Sequence, residues 1–379
     1  MNGKITKALV LLTLSLTATT GYSNTRRNRT PPPQTPCCEN SIGVGQGHGA
    51  YNYMEGGYNA PARYDVNGCW NFFITADFIY WQPRQENMGL ANALPLGGPV
   101  PPIVDSTIIY QKFSWKPGFR VGLGMNFGHD SWAGLVEYTW FHNTHRTSSD
   151  TPNFDNGGGL LMLWASGLFL NTGNTGLADG FNSRWDLDMD LLDFVLQRIY
   201  YVGTRLSFRT FFGGRTTWIS QDMDFNFLLN PLTNPLALST VNASFYSSSW
   251  ALGPRFGVDL NWVLGWGFSL ASKLAGDISY ARYKVNWNED EVQTAGGPGQ
   301  GSHWTVAQLR PHAEAGFGLG WGTYFCDNGF HLQFTATYDF NVWWNQNMMK
   351  ALHSYVNNNQ EVQGNLYTHG LDLKVQFDF

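Results

Sequence analysis

Apolar and polar residues alternate along the last segment of the chain. Counted back from the end, the apolar positions are Phe379, Phe377, Val375, Leu373, Leu371 and, beyond His369, Tyr367. Polar or small residues occupy the positions between them. A period of two places alternate side chains on opposite faces of a β-strand. A final strand with one apolar face and one polar face is typical of a transmembrane β-barrel, whose wall separates lipid from a wet interior.

The same alternation recurs from residue 70 onward and predicts about ten strands, within a range of roughly 8 to 14. The predicted strands are residues 70–83, 110–127, 132–146, 183–199, 204–222, 241–262, 267–285, 305–323, 330–346 and 364–379. Short turns near residues 129, 201, 265 and 327 alternate with the longer segments 84–109, 147–182, 223–240, 286–304 and 347–363. A soluble β-sandwich has no reason to alternate short and long connections, whereas a barrel with short turns at one end and long loops at the other does. The apolar patch Leu160–Leu170 predicts either a further strand or a short helix within a loop.

One strand shows the expected membrane geometry most clearly. Apolar side chains recur at every second position from Trp250 to Trp262, and Arg255 and Asp259 lie on the opposite face. At about 3.3 Å per residue and a tilt near 40°, this run spans roughly 30 Å, close to the ~25 Å apolar band of such barrels. Pro254 lacks the N–H of a ladder donor, so we expect a β-bulge there.

The pattern is less regular in the middle of the chain. Apolar residues from Trp185 to Leu191 alternate with three acids, and the phase slips at Leu191-Leu192. The acids are Asp186, Asp188 and Asp190. Alternating carboxylates predict a hydrated strand face, and a calcium site is the alternative.

The N-terminus predicts export. Lys4 and Lys7 precede the apolar run Ala8–Ala18, and small residues follow it, which is the pattern of a signal peptide over residues 1–23. Residues 24–69 are rich in Arg, Pro, Gly and Asn without apolar periodicity and predict a flexible extension. The barrel then occupies residues 70–379.

Composition narrows the class further. The chain has 379 residues, of which 43% are hydrophobic, 13% charged and 16% aromatic. No later stretch reaches the roughly 18 apolar residues of a membrane helix, so membrane crossing is expected from strands. The net charge of −5 gives no basic footprint for nucleic acid. We find no local signature of a nucleophile with a base or of paired carboxylates in a pocket, so the sequence predicts a protein that is not an enzyme and that holds no cofactor.

Charged residues fall in the middle of the predicted strands, on the polar face. They are Arg120, Glu137, Arg209, Arg215, Arg255, Asp259, Lys273, Asp277, Glu314 and Asp339. An Arg or Lys facing lipid at the midplane costs about 2–4 kcal/mol, so these residues are expected to face the interior as candidate pore-lining residues. Two interpretations remain open: the charges line a conducting constriction, or they pair across a narrow lumen and seal it.

Four cysteines share one end of the predicted barrel. Cys37 and Cys38 lie in the extension, Cys69 precedes the first strand, and Cys326 lies in a short turn. Oxidising compartments permit disulfides. These residues are therefore disulfide candidates, either within the chain or to neighbouring envelope proteins.

Five blocks of the sequence stand out: Ala76–Trp81, Phe113–Gly122, Leu191–Asp193, Tyr200–Gly203 and His369–Leu373. They resemble the pore-forming major outer membrane protein family of Legionella and chlamydia-like bacteria. The resemblance covers most of residues 70–379 and implies an outer-membrane porin that passes small hydrophilic solutes and ions. The alternative is a closed barrel with a structural or adhesive role at the cell surface. The expected partners are outer-membrane lipid, the barrel assembly machinery acting on the strand that ends at Phe379, and further copies of the chain.

Overall fold

A computed structural model describes residues 66, 71–94, 106–127, 131–150, 159–164, 177–229, 240–292, 300–326, 328–356 and 362–379. The strands are β1 (Phe72–Gln85), β2 (Gly89–Leu94), β3 (Thr107–Tyr110), β4 (Lys116–Asn126), β5 (Trp132–Asp150), β6 (Gly159–Met162), β7 (Leu177–Val202), β8 (Leu206–Leu229), β9 (Thr240–Gly265), β10 (Phe268–Val292), β11 (Gln300–Phe325), β12 (Phe330–Trp343) and β13 (Leu366–Asp378). The helix is α1 (Met348–Val356). The predicted signal peptide and, apart from Val66, the predicted extension lie outside the described residues.

Ten of the described strands close into an antiparallel ring. Around the ring the order is β1, β13, β12, β11, β10, β9, β8, β7, β5 and β4, and β4 pairs again with β1. The seam between the first and last strands runs from Phe73 paired with Asp378 to Gln85 paired with Leu366. The predicted all-β barrel is confirmed. The apolar patch at residue 160 contains β6, which with β2 and β3 forms a short extension beside the upper end of β7.

The outer surface of the ring carries an apolar band. On β1 the side chains of Ile74, Phe78 and Tyr80 point outward and are 41–51% exposed, whereas Thr75 and Asp77 point inward and are buried. The other ring strands continue this outer band with side chains such as those of Leu252, Phe317, Leu319 and Leu373. These exposed apolar side chains give the outer band the chemistry of a lipid-facing wall. Within the part of the chain that the structure describes, α1 is too short for a membrane span.

The ring is much taller on one side than on the other. Strands β7 to β11 have 24 to 26 residues, whereas β1, β4, β12 and β13 have 11 to 14. At ~3.3 Å per residue and a tilt near 40°, a difference of about twelve residues adds roughly 30 Å of height. The extra length lies at the end with long loops. We call the upper parts of β7 to β11 the tall wall.

The tall wall reverses the direction of its apolar side chains. In the lower part of β9, Leu252 and Phe256 point outward and Arg255 points inward. In the upper part Val241 and Phe245 point inward, and polar residues face out. The expectation that the apolar face of every alternating segment meets lipid is therefore wrong for the tall wall, where the apolar face lines the interior.

The apparent phase slip on β7 has the same origin. Leu191 and Asp193 both point inward, and pairing with β8 continues without a register shift through Leu191 and Leu192. The backbone is regular here. The inward side chains change from apolar to charged because β7 passes from the tall wall into the level of the outer band. The acids at 186, 188 and 190 consequently lie on the outer surface of the tall wall.

A lid covers the concave inner face of the tall wall. The lid consists of β2, β3, β6 and α1, and its buried apolar side chains are Met88, Leu90, Ala91, Leu160, Met162, Trp164, Met348, Met349, Ala351 and Leu352. Trp164 packs against Phe225 and Phe245 of the wall at ring-centroid distances of 5.7 and 4.9 Å. The upper half of the barrel is thus filled by a continuous apolar core, as in a soluble protein.

Two local features concern the backbone of β9. Pro254 stands opposite Gly214 of β8, and the β9–β10 register is unchanged across it, so the predicted bulge is wrong.

The chain turns at Gly265, Trp266 and Gly267, all with positive φ. Glycines fit these left-handed positions without the strain that a side chain adds, which permits the short connection to β10.

Candidate functional site

Ionisable side chains form a belt around the inner face of the ring, below the apolar core. The members of this charged belt are Asp77 of β1, Arg120 of β4, Glu137 of β5, Asp193 of β7, Arg215 of β8, Arg255 of β9, Lys273 and Asp277 of β10, His312 and Glu314 of β11, Asp339 of β12, and Asp372 and Lys374 of β13. Every strand of the ring contributes at least one member. The belt brings together positions far apart in sequence because strand pairing aligns them.

Arg120 organises one half of the belt. Its Nη1 donates to Asp77 Oδ2 at 3.1 Å and to Asp372 Oδ2 at 2.8 Å, and its Nε donates to Thr139 Oγ1 at 3.2 Å. The register explains these contacts, since β4 pairs Arg120 with Asp77 on one side and with Thr139 on the other. The fixed fork of the guanidinium suits several acceptors at once.

Arg215 and Arg255 organise the other half. Arg215 forms a bidentate pair with Asp193, with both N–O distances at 2.6 Å, and lies 3.4 Å from Glu314. Arg255 Nη2 lies 2.8 Å from Glu314 Oε2. Lys273 binds the other oxygen of Glu314. A carboxylate shared among three cations connects β8, β9, β10 and β11 across the interior.

The belt differs in accessibility between its members. The side chains of Lys273 and Lys374 are 26% and 32% exposed, whereas those of Arg215 and Arg255 are at most 4% exposed. The two lysines lie toward the short-turn end. That side of the belt is therefore open to water, and the side toward the lid is sealed.

Several belt atoms keep unused hydrogen-bonding capacity. Within the described part of the chain, Asp77 Oδ1, Asp372 Oδ1, Arg255 Nη1 and His312 Nε2 have no hydrogen-bond partner. Buried polar atoms are normally satisfied by protein groups or ordered water. These atoms are buried, so ordered water within the network is the partner expected to satisfy them.

Below the belt the interior is lined by small and polar residues. The inner face of β11 continues from Gly316 through Gly318, Gly320 and Gly322, beside Ser269 of β10. A Cβ atom on Gly316 would lie 2.5 Å from Asp339 Oδ1, so glycine at this position leaves room for the belt. The interior thus has three layers: a polar vestibule, the charged belt and the apolar core under the lid.

All ten predicted pore-lining residues lie on the inner face of the ring. Eight belong to the belt, and the remaining pair, Arg209 and Asp259, face each other across β8 and β9 nearer the short-turn end. Sequence reasoning missed Asp77, Asp193, His312, Asp372 and Lys374 as belt members. Their positions on the polar face of their strands were the available signal, and for Asp193 the apparent phase slip obscured it. The pore-lining role of the whole set stays a prediction.

Cys326 is exposed in the turn between β11 and β12 and forms no disulfide with any residue that the structure describes. The three other cysteines named as disulfide candidates, Cys37, Cys38 and Cys69, lie outside the described residues. The prediction that these cysteines form disulfides therefore stays a prediction.

The acids of β7 form a small cluster on the outer surface. His142 lies between Asp188, at 3.4 Å, and Asp190, at 3.2 Å, and the Tyr138 hydroxyl donates to Asp190 at 2.6 Å. No group of metal-ligating side chains was found among the described residues. The polar groups of the cluster therefore bind one another on the hydrated outer face of the wall.

One titratable group of the lid is perturbed by its surroundings. Lys350 Nζ of α1 donates to the Leu163 carbonyl at 3.0 Å and lies 4.4 Å from the centroid of the Trp164 ring. Burial of the ammonium lowers the pKa of Lys350 to about 8. The ring face and the carbonyl partly compensate for the water that this group has lost.

Comparison with known proteins gives one family match. The sequence model of the family described as Legionella pneumophila major outer membrane protein precursor matches residues 66–379. No curated protein matches the chain.

The solved structures to which the chain is similar at low identity include the following three outer-membrane proteins. The outer membrane protease OmpT of Escherichia coli has 8% identity and a TM-score of 0.40, with 82% of this chain and 97% of that chain covered. A major outer membrane protein of Thermus thermophilus has 11% identity and a TM-score of 0.32, with 81% and 99% covered. The toluene transporter TodX of Pseudomonas putida has 8% identity and a TM-score of 0.26, with 82% and 90% covered.

Proposed function

The chain belongs to the family of the Legionella pneumophila major outer membrane protein, and from this membership we propose that it is a porin of the outer membrane. Small hydrophilic solutes and ions would diffuse passively through its lumen, and no catalytic step is involved. The outer band then faces lipid, the short turns face the periplasm and the long loops face outward. The single observation that carries the proposal is the charged belt, to which every strand of the ring contributes.

The energetics of the belt support a path for hydrated solutes. Burying an ion pair costs several kcal/mol per ion in desolvation, and apolar replacements of similar volume are often neutral or stabilising. A barrel that only needed a solid interior could extend the apolar core downward. Charges of both signs, with unused hydrogen-bonding atoms and two partly exposed lysines, instead match a constriction that selects by size and charge.

The lid makes the described state a closed one. Among the described residues, the interior above the belt is packed mainly with apolar side chains, together with buried polar contacts such as Gln221 to Gln85 and Arg310 to Tyr283. Conduction therefore requires the lid to leave the tall wall at least transiently. The proposal is thus a gated pore whose selectivity lies in the belt and whose opening depends on the lid.

Planar-bilayer recording tests the proposal directly. Wild-type protein is expected to give reproducible conductance steps, and Arg255→Glu and Lys273→Glu should shift the reversal potential in a KCl gradient toward cation selectivity. Arg84→Glu, on the outer face of β1, is the matched control and should leave the reversal potential unchanged. Steps with the same selectivity in all four proteins would show that ions bypass the belt.

A closed surface barrel is the second candidate, and the packed lid favours it. In that case the belt is a structural network, and the long loops contact neighbouring molecules or a host surface. Recordings without conductance steps from correctly folded wild-type protein would support this candidate. The same result would reject the porin proposal.

The C-terminal strand supports the expected dependence on assembly machinery. The Phe379 N–H donates to the Phe72 carbonyl at 3.0 Å, so the last residue helps to close the seam. We propose that the strand ending at Phe379 is the segment presented to that machinery. Association with further copies of the chain, or with envelope neighbours through disulfides, belongs to the same set of proposals.

A further inference from the structure

Two adjacent cations stand on the outer face of β10. Arg282 and Lys284 are both exposed and alternate with the inward residues Ala281, Tyr283 and Val285. Neither cation has an ion pair or hydrogen bond with any residue that the structure describes. Residues two apart on one strand face lie about 7 Å from each other, so the pair can bind one anionic group jointly.

These cations lie just above the apolar outer band. Tyr280, two residues below Arg282, is 51% exposed, and Leu309 on the neighbouring strand is 68% exposed. Trp250 pairs with Arg282 and packs edge-on against Tyr280, which marks the aromatic border of the band. At the tilt used above, Arg282 lies about 5 Å and Lys284 about 10 Å above Tyr280, the depth of lipid headgroups.

None of the cross-strand neighbours of the two cations carries a negative charge: Arg282 lies between Trp250 and Ala307, and the neighbours of Lys284 are polar. Pairing places Ser248 of β9 and Thr305 of β11 on either side of Lys284, and Tyr246 and His303 on either side of Asn286. Among the described side chains, the outward carboxylates of this wall lie on β7 and β8. The surface of β9 to β11 at this height is therefore basic, with hydroxyl, amide and imidazole groups to complete an anion site.

A groove lies on the same strands, deeper in the band. Its volume is about 1120 Å³, and small residues of β10 and β11 form its centre: Gly276, Ala313 and Ala315. Phe256, Leu274 and Phe340 flank these small residues. The lining is mainly apolar, continues across β12, β13 and β1, and includes the polar side chains of Arg84 and His369 at the β13–β1 side.

The separation of the cations and the groove fits one leaflet of a bilayer. Arg282 and Gly276 are six residues apart on β10, which is roughly 20 Å along the strand and about 15 Å along the membrane normal. Half of a ~30 Å hydrocarbon core has the same depth. At this tilt the groove is also displaced sideways from Arg282 by roughly 13 Å, so an acyl chain whose headgroup binds at Arg282 reaches the groove by slanting along β10.

We propose that the outer face of β9 to β11 binds a phosphate-bearing lipid of the outer leaflet. Arg282 and Lys284 bind its phosphate, and one acyl chain occupies the groove at Gly276, Ala313 and Ala315. The charge complementarity and the depth of the two parts carry this assignment. It is independent of whether the lumen conducts.

Native mass spectrometry of the full chain in detergent micelles tests the site. Purified protein is titrated separately with phosphatidylglycerol, lipid A and zwitterionic phosphatidylcholine. Reversal of both charges in Arg282→Glu/Lys284→Glu should weaken binding of the anionic lipids by at least about tenfold, given roughly 1 kcal/mol for each cation near a membrane surface. Filling the groove with Ala313→Phe/Ala315→Phe should weaken binding of the same lipids while leaving the cations in place.

A charge-matched control separates the site from a general charge effect. Lys112→Glu/Arg205→Glu changes the net charge equally but at exposed positions away from the groove, and should bind lipid like wild type. Preference for lipid A over phosphatidylglycerol identifies the source of the phosphate, and either preference supports the site. Equal lipid binding by wild type and Arg282→Glu/Lys284→Glu would overturn it. If those two substitutions instead dissociated a dimer and left lipid binding unchanged, the face would be an interface between copies of the chain.

Discussion

Arg215 shows how the barrel keeps a full charge in its interior. The guanidinium is bound on two nitrogens by Asp193 and lies within 3.5 Å of Glu314 and Asp277. Each carboxylate is in turn shared with another cation or with His312. Because the contacts are shared, removing one cation leaves several buried carboxylates short of charge compensation.

We expect Arg215→Ala to lower the free energy of unfolding by about 3–5 kcal/mol, the cost of leaving a buried partner unpaired. Urea unfolding in detergent, followed by tryptophan fluorescence, measures this change. The exposed Arg205→Ala is the control and should change stability by less than about 0.5 kcal/mol. Arg215→Met/Asp193→Leu should recover much of the loss, and a double variant no better than Arg215→Ala would contradict this account.

Among the elements, α1 is the part of the lid with a buried cation. The helix places Met348, Met349 and Leu352 in the apolar core, and Lys350 follows them into partly buried surroundings. The protein groups around the Lys350 ammonium solvate it less well than water does. The helix therefore contributes both apolar burial and a pH-dependent penalty.

The sign of this pH dependence follows from the direction of the pKa shift. Burial lowers the pKa of Lys350 from 10.5 to about 8, so the unfolded chain binds more protons than the folded one between these values. The penalty is constant below about pH 8, falls as pH rises through this window, and is absent above it. Lys350→Met should therefore be more stable than wild type near neutral pH, with the difference shrinking toward pH 10.5.

Unfolding free energies at several pH values measure this difference. Lys112→Met, at an exposed position, is the control and should show no such convergence with wild type. A Lys350→Met advantage that stays the same across the window would mean that the penalty is steric and not electrostatic.

The strands show which parts of the fold can be predicted from the sequence. Period-two alternation located the ten ring strands, because burial in lipid imposes that period on each of them. The alternation gave the wrong environment for the apolar face of β7. Trp185 and Leu187 face an apolar core that is completed by the lid, and α1 of the lid lies more than a hundred residues later in the sequence. The sequence predicted only part of the belt. The polar face of each strand can be identified from that strand alone, whereas the contacts between charged residues on different strands depend on the register of strand pairing.

At the scale of the whole molecule, the porin proposal assigns a separate part to each layer of the interior. The vestibule is polar, the belt is closely paired across the interior, and the apolar core under the lid lies between the belt and the long-loop end. The tall wall is held by its own strand pairing, and the lid pairs with it only where β6 meets the upper end of β7, among the described residues. The lid can therefore be displaced without dissolving the ring.

We expect Leu352→Glu to increase the frequency of open conductance steps, because a charge at this 2%-exposed position is incompatible with the apolar core. Planar-bilayer recording measures the frequency, and heat-dependent migration on gels verifies that the ring is intact. Val362→Glu, at a 40%-exposed position, is the control. An intact Leu352→Glu barrel that opens no more often than wild type would show that the lid is not the gate.

The seam between β1 and β13 carries a consequence for biosynthesis. Residues as distant as Phe73 and Asp378 must pair before the wall is continuous, so a nascent chain stopped one strand short leaves two open backbone edges. Hydrocarbon offers no partner for those amides, and such edges recruit other extended chains. A late truncation therefore yields an aggregation-prone product as unfit for insertion as an early one.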